Sequence, residues 1–192
     1  MGRIVRDGHR ASEVIGRVRA LFKKTAPDKA RLDVNELIRD VFDLVPGELR
    51  RNRVRLRTEL SPDLPPVLGD RVQLQQVLLN LIINGVEAMG AVAGWPRDLL
   101  VRTRKDEPGM VIVSVRDSGA GIDPQNLDRL FDAFYTTKPE GMGLSVSRSI
   151  IEAHGGRLWA ASDGGPGATF QFSLPADGGG GHDRVGRNRL RR

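Results

Sequence analysis

The sequence predicts a two-layer α/β sandwich, a mixed sheet covered on one face by helices. Three observations predict it. Alternation of apolar and polar side chains marks strands over 53–60, 99–105, 110–116, 157–161 and 168–174. Helical spacing of apolar residues marks segments opening at Asp33, Asp70 and Leu144, interleaved with those strands. Finally, 39% hydrophobic residues in 192 positions suffice for one good-sized domain plus an appendage.

Residues 8–24 read as an amphipathic helix, with Ala11, Ile15, Val18 and Phe22 on one stripe beside Val14 and Leu21, and Pro27 ending it. So short a helix is marginal alone in water, so its stripe should pack on something. Asp33 with Glu36 has the spacing of a capping box, opening a helix of Val34, Leu37, Ile38, Val41 and Leu44. Pro46-Gly47 should kink or stop it before Arg51. The proline-rich stretch 61–69 is expected to be loop.

Asp70 with Gln73 caps a long helix through Met89 that stops at Gly90. Glu107-Pro108-Gly109 turns one strand into the next, and Pro124 opens a short helix. Residues 132–143 lack a period and are expected to form a mobile loop. Leu144 to His154 is a helix ended by Gly155-Gly156. The expected domains are residues 1–27 as an appended helix, 28–176 as the α/β domain, and 177–192 as a disordered Gly/Arg-rich tail.

There is no cysteine, which excludes disulfides, thiolate metal sites and a cysteine nucleophile. The longest apolar run, Val77 to Ile83 broken by Asn80, is too short to span a membrane, and Arg3, Arg6 and Arg10 spoil a signal-peptide pattern. A cytoplasmic setting with no membrane segment is expected. The net charge of +6 invites a nucleic-acid reading. Its distribution argues otherwise. Arg184, Arg187, Arg189, Arg191 and Arg192 lie in the tail, while Arg50, Arg51, Arg53, Arg55 and Arg57 read as a solvated strand face. With aromatics at 5%, no stacking platform accompanies the charge, and no nucleic-acid partner is expected. A basic nucleic-acid-binding module stays as the competing class; salt-dependent DNA retention that survives loss of the tail would favour it.

The long helix carries a second pattern. Gln73, Gln76, Asn80, Asn84 and Glu87 follow at helical spacing, opposite Leu74, Val77, Leu78, Leu81 and Ile82. A solvent face would explain the stripe, yet positions 72–89 hold neither Lys nor Arg. Carboxamide oxygens suit a hard cation such as Mg²⁺. Asp117, after Val111 to Val115, is a turn former that can also accept a hydrogen bond from an exocyclic amine. Gly143-Leu144-Ser145 opens a helix whose first amides suit phosphate.

Taken in order, Asn80-Leu81-Ile82-Ile83-Asn84, Asp117-Ser118-Gly119-Ala120-Gly121, Phe131-Asp132-Ala133-Phe134, Thr136-Thr137-Lys138, Gly141-Met142-Gly143-Leu144 and Gly165-Pro166-Gly167-Ala168-Thr169-Phe170 resemble the ATP-binding domain of sensor histidine kinases. That superfamily also includes gyrase-type topoisomerases and heat-shock chaperones. The resemblance implies the histidine-kinase-type ATPase fold, with the helix at 8–24 as the second helix of a dimerisation hairpin. It implies that Asn84 holds the Mg²⁺ bridging the phosphates of ATP, that Asn80 supports it, and that Glu87 belongs to the same ATP-binding stripe. It implies that Asp117 reads adenine, that Gly119 and Gly121 let backbone approach the base, that Ile122 lines the pocket, and that Thr169 sits near adenine. Tyr135 to Gly143 resembles the ATP lid, with Gly141, Gly143 and Leu144 as its glycine box. Lys138 would neutralise phosphate there, although a lone loop lysine is more often just solvated. Phe131 and Phe134 would anchor the lid.

Two departures stand out. Relatives carry G-x-G-x-G-L, whereas this chain has Pro139-Glu140-Gly141-Met142-Gly143-Leu144 in a lid about two residues shorter, which bears on closure and γ-phosphate handling. A phosphoacceptor histidine is also missing from the expected pattern. His9 precedes Arg10 with no acidic neighbour, His154 ends a helix where its charge would suit the dipole and reads as structural, and His182 is in the tail. The chain therefore reads as a fragment, half a dimerisation hairpin plus the catalytic module. By resemblance, that module passes the γ-phosphoryl of ATP to a histidine on a dimerisation domain and so to a response regulator receiver domain, in a full-length homodimer. Related ATPases place a water-activating glutamate where Asn80 stands, so autonomous hydrolysis is not expected. An anti-sigma-type serine kinase of the same superfamily is the nearer rival.

Overall fold

The Asp33 carboxylate opens the helical layer by accepting from the Asn35 and Glu36 backbone N–H groups at 2.7 and 3.2 Å. The structure, a computed structural model, describes residues 28–90, 92, 96–106, 109–131, 143–162 and 165–178. The expected helix at 8–24 with His9, the lid residues Phe134, Lys138 and Gly141, and tail residues 179–192 lie outside the described residues.

The elements run β1 (Ala30–Leu32), α1 (Val34–Leu44), α2 (Pro46–Arg51), β2 (Arg55–Glu59), β3 (Val67–Gly69), α3 (Arg71–Gly90), β4 (Asp98–Asp106), β5 (Met110–Asp117), two short 3₁₀ turns at Pro124–Asn126 and Asp128–Phe131, α4 (Gly143–Ala153), β6 (Arg157–Ala161) and β7 (Thr169–Pro175). Pro46 does stop the first helix, and a new one begins on it. The five-stranded sheet has the order β2-β4-β5-β7-β6. Only β2 with β4 is parallel, so the sheet is mixed.

Alternation decides which face is covered. Leu99 and Val101 on β4, Val111, Val113 and Val115 on β5, and Phe170, Phe172 and Leu174 on β7 are buried against the helices. Helix α3 lays Leu74, Val77, Leu78, Leu81, Ile82, Val86 and Met89 into that core. Each such side chain contributes roughly 1.5–3 kcal/mol on burial. The opposite face carries Arg102, Arg104, Ser114, Arg116, Gln171 and Arg157.

The loop expected over 61–69 is corrected at its end. Val67–Gly69 pairs antiparallel with Ala30–Leu32 as a second, two-stranded sheet. Three residues per strand are too few for alternation to register, and the prolines stop just short at Pro66. The tail boundary is corrected too. The Asp177 N–H donates to the Pro66 carbonyl at 2.7 Å and its carboxylate pairs with Arg31 at 2.7 Å, so Asp177 is held to the domain.

The arginine strand face is corrected: only Arg55 and Arg57 lie on β2, whereas Arg50 and Arg51 end α2 and Arg53 sits in the turn between them. Arg55 forks onto Asp98 at 2.6 and 2.8 Å, holding that carboxyl below its ordinary range, and Arg102 donates to Glu59 at 2.7 Å. Among the described residues, no helix is long and apolar enough to cross a membrane.

Candidate functional site

Helix α3 starts directly after β3 and runs towards the end of the main sheet where β5 finishes. Asp70 starts it by accepting from the Gln73 N–H at 3.1 Å. Near its far end Ala88 meets Gly119, where a Cβ would lie 2.7 Å from the Ala88 carbonyl carbon. The polar stripe is no simple solvent face. Gln73, Gln76, Asn80 and Asn84 are half-buried, and Glu87 is exposed.

Asp117 ends β5 and is 3% exposed, on the helix-covered face. Its Oδ1 accepts from the Gly119 N–H at 2.8 Å, while its own N–H donates to the Ala168 carbonyl at 3.0 Å. Burial pushes its carboxyl above the ordinary 3.8, opposed by the backbone N–H groups of Gly119, Ala168 and Asp117 and by the charge of Arg116. The turn-former reading of this residue therefore holds, and its carboxylate is buried.

Gly85 joins the two halves of the site. It follows Asn84 directly, and a Cβ on it would sit 3.2 Å from the Asp117 Cβ and 2.9 Å from Leu99 Cδ1. The helix can press against the end of β5 only because that side chain is missing. Sequence reasoning missed Gly85, although a glycine inside a long helix costs about 1 kcal/mol relative to alanine and so calls for a packing reason.

The two glycine boxes interlock. Gly167 donates to the Gly119 carbonyl at 2.7 Å. Gly121 and Gly167 have φ of +81° and +88°, and a Cβ on either would run into backbone oxygen, of Gly165 and Asp117 respectively. Gly167→Ala should therefore destabilise the fold by about 1–3 kcal/mol, a fall in Tm of roughly 2–12 °C. Calorimetric melting checks this, and an unchanged Tm would contradict it. Ile122, next to Gly121, is half-buried, with its N–H 3.4 Å from Ser162 Oγ.

Thr169 does not share the Asp117 face. It pairs with Arg116 on β5 and Ala161 on β6, which puts it on the sheet's opposite side. Ala168 is the β7 neighbour that bonds Asp117. Strand alternation over 168–174 could have signalled this, since adjacent residues face opposite ways.

Helix α4 begins at Gly143, packed on α3 so tightly that a Cβ would lie 2.5 Å from Asn80 Oδ1. Asn80 Nδ2 donates to Ser147 Oγ at 3.0 Å, a partner that sequence reasoning also missed. Leu144 is half-buried and packs on the core. Phe131 closes the second 3₁₀ turn, 9% exposed, with the Arg148 guanidinium 5.8 Å from its ring centre.

His154 is structural, as its place at the helix end suggests, but it does not act there as a charge. It is 3% exposed; Nε2 lies 3.0 Å from the Asp70 N–H and so accepts, while Nδ1 meets the Ile150 carbonyl at 2.7 Å. An accepting Nε2 makes it the uncharged imidazole with its proton on Nδ1.

Two clefts lie elsewhere. One of about 510 Å³ is lined by Arg51, Arg53, Pro96 and Arg97; one of about 240 Å³ opens on the uncovered face beside Trp159. Neither includes the polar stripe or Asp117. The convergence lies instead along the inner, C-terminal half of α3, where Gly85 meets Asp117, Ala88 meets Gly119 and Asn80 meets the first turn of α4.

The family of histidine kinase-, DNA gyrase B- and HSP90-like ATPases matches residues 69–178, from the end of β3 to the last described residue. The chain belongs to that family. Its curated relatives include the sensor protein FixL of Bradyrhizobium diazoefficiens, 42% identical over 92% of this chain and 35% of the relative. The sensor histidine kinase TmoS of Ectopseudomonas mendocina is 36% identical over 91% of this chain and 18% of the relative. The chain thus spans about a third or less of those relatives' length. Among solved structures in the family, histidine kinase ThkA in complex with response regulator protein TrrA aligns with a TM-score of 0.73 and 30% identity, over 91% of this chain and 49% of that one. Full-length ShkA in complex with AMPPNP aligns with a TM-score of 0.70 and 30% identity, over 79% of this chain and 32% of that one.

Proposed function

We propose that this chain is the ATP-binding catalytic module of a two-component sensor histidine kinase. It delivers the γ-phosphoryl of Mg·ATP to a histidine on a dimerisation helix, from which an aspartate of a response regulator receives it. The observation that carries this is the pressing of Asn84's helix onto Asp117 through Gly85. Asp117 accepts from the adenine amine, and Gly119 and Gly121 let backbone lie along the base. The opening amides of α4, at Gly143 and Leu144, face the phosphates.

The donors suit the cation. Among the described residues no three acidic or histidine side chains gather into an all-protein metal site. A carboxamide that leaves most positions to phosphate and water is what Mg²⁺ accepts. Asn84 would hold it, and the ion would supply charge neutralisation across the phosphates. Positioning and electrostatics carry the reaction; the Asn80 amide, committed to Ser147, activates no water. The relatives support a response-regulator partner, and the parent protein works as a homodimer with this module in the cytoplasm.

Asp117 makes binding pH-dependent. Its carboxyl titrates above 3.8 in the fold, so between that value and the raised one the folded state holds more protons than the unfolded. In that window falling pH stabilises the free protein through this group, and rising pH removes the gain. Nucleotide binding runs the other way, because the protonated carboxyl loses its charged acceptor. Titrating ATP at descending pH should show affinity falling more steeply in the parent than in Asp117→Asn, since protonation of ATP itself is common to both. Parallel profiles would remove Asp117 from the base contact.

Incubating the chain with γ-labelled ATP, alone and with a supplied hairpin bearing an acceptor histidine, tests the function itself. Acid-labile, base-stable phosphate should appear on the hairpin and not on the chain. Strong self-labelling abolished by His9→Gln would make His9 the acceptor and overturn the fragment reading.

A further inference from the structure

We propose that Ser147 is a positioning residue that holds the phosphate-binding end of α4 in register with Asn84; the inference rests on the nucleotide reading above. Ser147 is 2% exposed, one turn into α4. Its hydroxyl has one proton, which goes to the Gly143 carbonyl at 2.9 Å. Its oxygen is then left to accept from Asn80 Nδ2 at 3.0 Å.

This chain of donors fixes which way the Asn80 amide faces. With Nδ2 on Ser147, Oδ1 lies against Gly143, at the place where any side chain on residue 143 would stand. A serine bonding back to the carbonyl four residues earlier ordinarily bends a helix slightly. Here the bond lies in the first turn and links the opening residue of α4 to α3.

The opposite end of the pair is tied as well. His154 near the end of α4 accepts from the Asp70 N–H at the start of α3. The antiparallel helices are thus pinned at Asp70–His154 and at Asn80–Ser147, which blocks sliding of one along the other. Asn84 lies one turn beyond the second pin. The spacing between the metal-holding amide and the α4 amides is therefore set by Ser147 acting through Asn80. A buried serine that merely satisfies its hydrogen bonds would support the fold without favouring phosphate over base.

The test separates those roles. Mg·ATP and adenosine are titrated into the parent chain, Ser147→Ala, Asn80→Ala and the double variant, with calorimetry for ATP and NMR shifts for adenosine. Ser147→Ala should weaken Mg·ATP about three- to tenfold, the range of one lost hydrogen bond, and leave adenosine within about twofold. In the Asn80→Ala background it should add nothing further, since it acts through that side chain. Equal loss for both ligands, no loss for either, or additive effects would each overturn the inference while leaving the nucleotide site standing. A parent chain that binds neither ligand would instead overturn the nucleotide reading.

Discussion

Asp117→Asn should weaken Mg·ATP binding by about 10- to 150-fold and erase the preference for ATP over GTP. The magnitude follows from losing a hydrogen bond to a charged acceptor, roughly 1.5–3 kcal/mol, at about 1.4 kcal/mol per decade. Asp117 is 3% exposed, so water cannot substitute for the missing acceptor. The variant should fold, because Oδ1 of asparagine can still accept from the Gly119 N–H that shapes the turn. Calorimetric titration with both nucleotides checks it. ATP affinity equal to the parent's would remove Asp117 from the base contact.

Asn84→Ala should abolish the strengthening of ATP binding by Mg²⁺. Changing a residue that merely orients a metal ligand costs about 10–100-fold, and losing the ligand itself should cost at least as much. Alanine is the better helix former, and Asn84 is only half-buried, so the fold should hold. The informative comparison is ATP with and without Mg²⁺ in parent and variant. A variant that still gains from Mg²⁺ as the parent does would place the cation elsewhere.

Much of the layout was legible because amphipathic periodicity and caps act locally. Asp33 and Asp70 both cap as expected, and Pro46 divides the first helical stretch. The strands of the main sheet came from alternation over five to nine residues. β1 and β3, at three residues each, fall below that window, and their pairing spans nearly forty positions of chain. The family was legible as residue types in order. The joints of the site were not, because they depend on which helix faces which strand. Gly85 against Asp117 and Asn80 against Ser147 are tertiary contacts that no local pattern encodes. Thr169 shows how a motif string hides the sheet face: strand alternation puts Ala168 beside Asp117 and Thr169 on the other side. The structural role of His154 was legible from its place at a helix end, but its partner, the Asp70 N–H 84 positions away, was not.

The central claim is that the inner end of α3, the end of β5 and the first turn of α4 form one nucleotide site. Amide NMR spectra of the chain titrated with Mg·ATP test it most directly. The account predicts that the largest shifts fall on Asn84, Gly85, Gly119, Gly121, Gly143 and Leu144, saturating together with one affinity. Shifts centred on Arg51, Arg53 and Arg97, with those residues unmoved, would place the nucleotide in the arginine cleft and contradict the account.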